Sequence, residues 1–182
     1  GHALSRKWLQ VDGCITANQF IPGTPAMCLV VAVNGTVLAA LTAVKERSFP
    51  EQTGPSSVVR FVPNAEMRRT AAELTSAWKL TGFIGYDFIL DSDGAAWLIE
   101  CNPRPTPIAH LGALAGEDLC AALFNHLTSR PPVPVAIRSG LVVAHFPQEM
   151  ARDAASPFLT DGYHDVPEDD PELMHLMLRK SR

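Results

Sequence analysis

Apolar residues recur along the chain with two periodicities, one typical of strands and one typical of helices. Two runs rich in strand-forming residues, 27–33 and 36–44, are separated only by Asn34-Gly35. Both residues of a tight hairpin turn need positive φ, which Asn and Gly tolerate, so this dipeptide predicts a β-hairpin. Shorter runs predict three more strands, over residues 13–21, 58–62 and 135–146.

Helical periodicity begins after Asn64, a candidate N-cap, and Gly82 is the expected end of this helix. Its apolar face is formed by residues three or four positions apart: Met67, Ala71, Leu74 and Trp78. The last of these is expected to lie in the core, as is Trp97. Two further helices are predicted, over residues 117–127 and from Pro171 onward.

A second hairpin carries the polar residues of greatest chemical interest. Its strands are predicted over residues 83–90 and 95–101. Glu100 and Asn102 are two positions apart and therefore share a face, and the turn at 91–94 can place Asp87 opposite them. Two carboxylates this close are unfavourable unless a cation intervenes, and hard oxygen ligands suit Mg²⁺. Arg104 can face the same site and bind a phosphate or a carboxylate.

Composition and charge narrow the class of protein. The chain has 182 residues, 47% of them hydrophobic, and a net charge of -4, which suits one sizeable domain and excludes a disordered chain. The charge indicates no basic surface for nucleic acid, and no apolar run is long enough to span a membrane. The cysteines lack CxxC spacing and no signal peptide is recognisable, so we expect reduced thiols, no structural zinc and a cytoplasmic location.

The second hairpin also contains two sequence motifs, G-x-D-F on its first strand and E-x-N-x-R at the end of its second. They read Gly85-Tyr86-Asp87-Phe88 and Glu100-Cys101-Asn102-Pro103-Arg104. In residue type, spacing and strand context this pair of motifs resembles the ATP-grasp superfamily of ligases. The resemblance covers residues 12–128 and implies an α+β fold, in which helices flank an antiparallel sheet.

The resemblance implies a role for each residue of these motifs. Asp87, Glu100 and Asn102 would bind one or two Mg²⁺ (or Mn²⁺) ions that bridge the phosphates of ATP. Arg104 would be the catalytic residue that holds the substrate carboxylate, or the acyl phosphate made from it. Positioning and charge neutralisation would then provide most of the catalysis.

A second resemblance concerns the nucleotide base. The sequence Asn18-Gln19-Phe20-Ile21 is similar to the strand that lines the adenine pocket in this superfamily. By this match Asn18 would contribute its side chain, and Gln19 and Ile21 would contribute backbone contacts. The chain departs from the pattern in its two amides, and in Pro25, where many members carry a ribose-binding Glu. An amide can still accept a hydrogen bond from an exocyclic amine.

Two other polar residues give weaker signals. Lys45 stands at a strand end and faces the Gly/Ser-rich loop 53–57, where it could contact phosphates. A solvated strand end is the favoured interpretation, because lysine is mostly exposed. His110 could approach the substrate, but a structural role is favoured.

The resemblance implies an ATP- and Mg²⁺-dependent, ADP-forming ligase that activates a small-molecule carboxylate as an acyl phosphate for attack by an amine or thiol. Residues 1–11 are expected to be a tag remnant and a truncated segment, 12–128 the C-terminal part of an ATP-grasp domain, and 129–182 an extension packed on it. Such a fragment would hold the metal-binding half of the site and be inactive alone. Two alternatives stay open: a bicarbonate-using carboxylase or carbamoyl-phosphate-type enzyme, and a non-catalytic nucleotide-binding module. No nucleic acid or membrane partner is expected, and a homodimer is left open.

Overall fold

Seven strands form one sheet with helices on both faces. The computed structural model describes residues 18–51, 54–132 and 138–180. The strands are β1 (Thr24–Val33), β2 (Thr36–Ser48), β3 (Ser56–Phe61), β4 (Gly82–Leu90), β5 (Ala96–Asn102), β6 (Val142–His145) and β7 (Tyr163–Asp165). The helices are α1 (Ala65–Ala77), α2 (Gly112–Ala115), α3 (Leu119–Leu127), α4 (Gln148–Arg152), α5 (Phe158–Asp161) and α6 (Pro171–Lys180).

The strand order across the sheet is β5-β4-β1-β2-β3-β6-β7. Neighbouring strands are antiparallel except β6 and β7, which are parallel. The predicted α+β fold, an antiparallel sheet with flanking helices, is confirmed. The last two strands belong to residues 138–180, so the sheet continues well beyond the motif-bearing hairpin.

The β1–β2 hairpin forms as its turn sequence predicts. Asn34 and Gly35 have φ of 47° and 81°, the left-handed conformation that this two-residue turn requires. The Gly35 amide also donates a hydrogen bond of 2.9 Å to the carbonyl of Leu80, which fixes the turn against the segment after α1. The hairpin therefore places β1 and β2 at the centre of the sheet.

Helix α1 begins where expected but ends early. Asn64 caps it by accepting a hydrogen bond from the Met67 amide, as predicted. Gly82 does not end the helix: the last helical residue is Ala77, and Lys79 already has a φ of 51°. Trp78 therefore follows the last turn and is 55% exposed, so its prediction as a core residue is wrong.

The second tryptophan prediction is also wrong, for a different reason. Trp97 lies on β5, the strand at the edge of the sheet, and is 48% exposed. Its indole Nε1 donates a hydrogen bond of 2.7 Å to Asp91 in the adjoining turn. The ring packs along the edge of its own hairpin and does not enter the core.

Both faces of the sheet are buried, which explains the continuous apolar run in β1. Met27 and Leu29 point to one face, which the segment containing Ile108 and Leu119 covers. Cys28 and its alternate neighbours point to the other face, which α1 covers. The polar end of the first face is where the predicted site residues lie.

Two predicted strands differ from the structure. Residues 18–21 form no strand, and β1 begins only at Thr24. Pro22 has no amide hydrogen to give to a strand ladder, and Gly23 forms a bend directly before Thr24. The remainder of that strand prediction, 13–17, and the whole of 1–11 lie outside the described residues.

The predicted strand over residues 135–146 shortens to β6, Val142–His145. Gly140 lies in a turn with a φ of 82°, which prevents the strand from extending further back. Residues 133–137 are outside the described part. Among the described residues, no helix combines the length and apolarity that crossing a membrane requires.

Candidate functional site

Two strands flank β1 and bring an acidic and a basic side chain together. Met27 of β1 pairs with Asp87 of β4 on one side and with Ala43 of β2 on the other. Lys45 is two positions after Ala43 and therefore lies on the same face. Its Nζ is 3.1 Å from Asp87 Oδ1, and the Lys45 side chain is only 21% exposed. The ion pair closes across β1 at the edge of a buried face.

A β-bulge in β5 turns two more oxygen-bearing side chains toward Asp87. Phe88 pairs with Leu98, but Asp87 pairs with Glu100, so Ile99 is an extra residue. The insertion shifts the alternation of β5 by one position. As a result Glu100 and Asn102 lie on the same face as Asp87. The Asn102 amide Nδ2 donates a hydrogen bond of 3.0 Å to Asp87 Oδ2.

Glu100 is exposed beside this pair, and among the described residues its carboxylate has no hydrogen-bonded or ion-paired partner. No cluster of three or more His, Cys, Asp or Glu side chains suited to a metal ion occurs in the described ranges. The local donors are two carboxylates and one amide. All three are hard oxygen donors once the amide presents its carbonyl, and Mg²⁺ prefers such ligands.

A small cavity adjoins these residues. It is lined by the side chains or backbone of Met27, Lys45, Pro55, Ser56, Gly85, Tyr86, Asp87, Asn102, Arg104, Thr106 and Pro107. A Cβ on Gly85 would lie 2.3 Å from Thr106 Cγ2, so glycine is what lets this threonine approach the sheet. Thr106 Oγ1 is buried without a hydrogen-bond partner in the described protein. It is a polar atom available to a bound group.

A larger cavity adjoins the small one, and Lys45 lines both. Its apolar wall includes Phe20, Ile21 and Ile89, and its polar wall includes Arg47 and Arg152. Phe20 is 84% exposed at its mouth. The site therefore combines an apolar wall and cationic side chains in one cavity, with the Asp87 oxygens next to it.

A buried carboxylate stands behind the larger cavity. Glu149 of α4 is completely buried and accepts hydrogen bonds from Ser57 Oγ at 2.8 Å and from Arg152 Nε at 2.7 Å. Ser156 Oγ also donates to it. Burial would raise the pKa of Glu149, but these three donors lower it to about 2. Glu149 is therefore ionised at neutral pH and fixes the guanidinium of Arg152.

A third polar cluster joins the loop after Asn102 to β7. Asp165 Oδ2 is 2.7 Å from His110 Nε2 and 3.9 Å from His145 Nδ1. Burial would raise the pKa of Asp165, but the hydrogen bond with His110 and the proximity of His145 lower it. The same hydrogen bond raises the pKa of His110. His110 is thus a partner of Asp165, which agrees with the structural role favoured from the sequence.

A family model of the ATP-grasp domain matches residues 5–107. The chain belongs to the ATP-grasp family. The match covers more than half of the sequence and includes both motifs of the β4–β5 hairpin. The polar residues of this ATP-grasp chain that lie in α4 and β7 are outside the matched range.

Solved structures that resemble this chain have very different sequences. Biotin carboxylase from Campylobacter jejuni is 12% identical with a TM-score of 0.52, and the match covers 68% of this chain and 30% of that one. The phosphoribosylaminoimidazole carboxylase ATPase subunit from Aquifex aeolicus is 15% identical with a TM-score of 0.49, with 65% and 38% covered. The chain thus spans about a third of the length of these proteins. No curated protein matches the sequence.

The ATP-grasp residues expected from the sequence fall into two groups. The first group is Asp87, Glu100 and Asn102, which share one face of the sheet. Arg104 lines the small cavity beside them, and its Nη1 lies 3.3 Å from the Pro105 carbonyl oxygen. The second group is the base-binding segment. Phe20 and Ile21 line the larger cavity, whereas Asn18 and Gln19 are exposed and are not part of its wall.

Sequence reasoning favoured the wrong interpretation of one cation, Lys45, and missed another, Arg152. Lys45 is not a solvated strand end: it is paired with Asp87 and lines both cavities. Its position two residues beyond buried Ala43 is a signal that could have indicated the shared face. Arg152 has a local partner in Glu149, three residues earlier, but such pairs are common on helix surfaces. Its place at the cavity depends on the contact between Ser57 and Glu149, which are 92 positions apart.

Proposed function

We propose that this chain carries the metal- and nucleotide-binding residues of an ATP- and Mg²⁺-dependent, ADP-forming ligase. The observation that carries the proposal is the convergence of Asp87, Glu100 and Asn102 on one face, beside a cavity that Lys45 shares with Phe20 and Ile21. Such an enzyme needs oxygen ligands for a divalent cation, a cationic side chain that binds phosphates, and an apolar wall that contacts the base.

The donor set fits Mg²⁺. Asp87 and Glu100 face each other in the bulged pair, and a cation offsets the repulsion between two carboxylates so placed. Rotation of the Asn102 amide about its terminal torsion presents its carbonyl oxygen in place of the NH₂ that now bonds Asp87. When bound, the ion would neutralise charge on the phosphates. It would compete with Lys45 for Asp87 and free that ammonium for a phosphate oxygen.

The two cavities suit the two ends of a nucleotide. Phe20 and Ile21 provide apolar surface for the base in the larger cavity. Lys45 stands where the larger cavity meets the smaller one, so phosphates that reach it would also reach the Asp87 side. Because the expected side chain of Asn18 is exposed and outside the wall, base recognition in this chain would depend on packing and on backbone contacts.

Arg104 would hold the second substrate. Arg104 lines the small cavity, and the planar fork of its guanidinium matches a carboxylate. An oxygen of that carboxylate would attack the γ-phosphorus of ATP, forming an acyl phosphate as the bond to ADP breaks. An amine or thiol would then attack the acyl carbon and release phosphate. Arg104 and Lys45 would contribute by orienting the reactants and by offsetting their negative charge.

Calorimetric titration with ADP, with and without Mg²⁺, tests this proposal. We expect binding that depends on Mg²⁺, and we expect Glu100→Gln to weaken MgADP binding at least about tenfold. The fold should persist in this variant, since Glu100 is exposed and removing its charge relieves repulsion with Asp87. Asp93→Asn is the matched control, because Asp93 is an exposed carboxylate in the turn of the same hairpin.

Equal MgADP affinity for the wild type and Glu100→Gln would show that the metal assignment is wrong. Absence of nucleotide binding by the wild type would remove support for the site as a whole. ADP release should also be measured with a panel of carboxylates and with bicarbonate, on the full-length parent protein, because this chain alone is expected to be inactive. Turnover that requires bicarbonate would favour the carboxylase-type alternative, and nucleotide binding without turnover would favour a binding module.

A further inference from the structure

Arg152 enters the larger cavity from a part of the chain that the family model does not cover. The model ends at residue 107, whereas Arg152 is the last residue of α4. Its side chain lines the cavity together with Lys45 and Arg47. The cation thus reaches the cavity wall from outside the range that the family model matches.

The orientation of Arg152 is fixed by a charge that has no contact with solvent. Its Nε donates to Glu149 Oε2 at 2.7 Å, and its Nη2 bonds Oε1 of the same carboxylate. Glu149 is 0% exposed, and two serines satisfy its remaining acceptor capacity. Complete burial of a carboxylate is costly unless it is paired and hydrogen-bonded. The arrangement therefore holds the guanidinium in one position before any ligand binds.

One side of the guanidinium remains available. Nε and Nη2 are both directed at Glu149, and among the described residues no acceptor is hydrogen-bonded to Nη1. The other cations of the wall are already engaged: Lys45 pairs with Asp87, and Arg47 lies 5.3 Å above the Phe158 ring. Glu46 and Glu51 contribute carboxylates to the same wall, and the charges of Glu51 and Asp153 also act on Arg152. Arg152 is the prearranged donor of this cavity.

We propose that Arg152, oriented by Glu149, binds a phosphate oxygen of the nucleotide in the larger cavity. The inference rests on the proposed function, since it takes the apolar wall at Phe20 and Ile21 as the position of the base. Guanidinium–phosphate hydrogen bonds are charge-assisted, and a fixed donor loses little entropy when it binds. The substrate carboxylate also carries anionic oxygens that Arg152 could bind. The test must therefore distinguish a nucleotide phosphate from a substrate carboxylate.

Titrations with ADP and with adenosine separate these possibilities. We expect Arg152→Gln to weaken MgADP binding about tenfold or more and to leave adenosine binding unchanged, because only ADP carries phosphates. Arg152→Lys should retain part of the ADP affinity. Arg69→Gln, which removes an exposed arginine of α1, is the matched control and should bind both ligands as the wild type does.

Arg152→Gln leaves the Glu149 charge buried and unpaired, which could destabilise the fold. A second variant therefore controls for loss of fold. The double variant Glu149→Gln/Arg152→Gln removes that charge. It should show the same loss of ADP affinity, with unchanged adenosine affinity. Equal ADP affinity for the wild type and both variants would overturn the inference and point to the carboxylate as the occupant. Equal weakening of ADP and adenosine would overturn it in favour of a structural role. If the wild type binds no MgADP, both the proposed function and this inference fail.

Discussion

Gly85 shows how one residue controls the shape of the small cavity. A Cβ at this position would lie 2.3 Å from Thr106 Cγ2. Thr106 is β-branched and cannot easily rotate away. We therefore expect Gly85→Ala to lower the free energy of unfolding by about 1–3 kcal/mol, the usual cost of overpacking, as measured by urea denaturation.

A double variant identifies the contact that causes this loss. Thr106→Ser removes Cγ2 and keeps the hydroxyl. Combined with Gly85→Ala, it should destabilise the protein by less than the sum of the two single effects, because the clashing methyl group is gone. Strict additivity of the two changes would mean that Thr106 is not the obstacle.

Sequence separation explains which site residues could be predicted. Asp87 and Asn102 are 15 positions apart on one hairpin, so motif spacing was enough to bring them together. Lys45 and Asp87 are 42 positions apart, and their contact requires the register of β2 and β4 on either side of β1. Ser57 and Glu149 are 92 positions apart. No local pattern specifies such a contact, because tertiary packing determines it.

At the scale of secondary structure elements, the bulge in β5 sets the face of Glu100 and Asn102 relative to the strand residues before it. Phe88 pairs with Leu98 and Asp87 with Glu100, so deletion of Ile99 would remove only the extra residue and keep both pairs. Glu100 and Asn102 would stay on the face of Asp87. We expect this deletion variant to keep Mg²⁺-dependent ADP binding in calorimetry while circular dichroism still reports a folded sheet.

Ile99→Ala is the matched control for the deletion. It keeps the residue count and removes only a side chain that is 58% exposed, so nucleotide binding should be preserved. Loss of binding by the deletion variant alone would show that the pairing register is not enough and that the bulge geometry itself positions Glu100.

The same scale shows which elements the sequence could predict. The Asn34-Gly35 turn and the Asn64 cap were predicted from local backbone chemistry, and both are confirmed. The early end of α1 at Ala77 and the three-residue strand β7 were not. A strand this short has too few residues to show an alternating pattern. Only its pairing with β6 identifies it as a strand.

At the scale of the whole molecule, the segment 138–180 is joined both to the sheet and to the loop that carries Arg104. β6 extends the sheet from β3, and β7 pairs with β6. The His110–Asp165 hydrogen bond then connects β7 to the chain just after the small cavity. The stability of the molecule should therefore respond to the protonation of this pair.

His110 gives the pH dependence a definite sign. Its hydrogen bond with Asp165 raises its pKa above the usual 6.5, against the effect of burial. A raised pKa contributes stability that is fully present below the unfolded value and is lost as pH rises through the folded value. Burial lowers the pKa of His164, so that residue acts in the opposite direction.

We therefore expect the difference in unfolding free energy between the wild type and His110→Gln, measured in urea, to shrink from about pH 6 to about pH 8. It should stay within about 1 kcal/mol, since His110 is largely exposed. A difference that does not change with pH would show that the pair adds no charge-dependent stability.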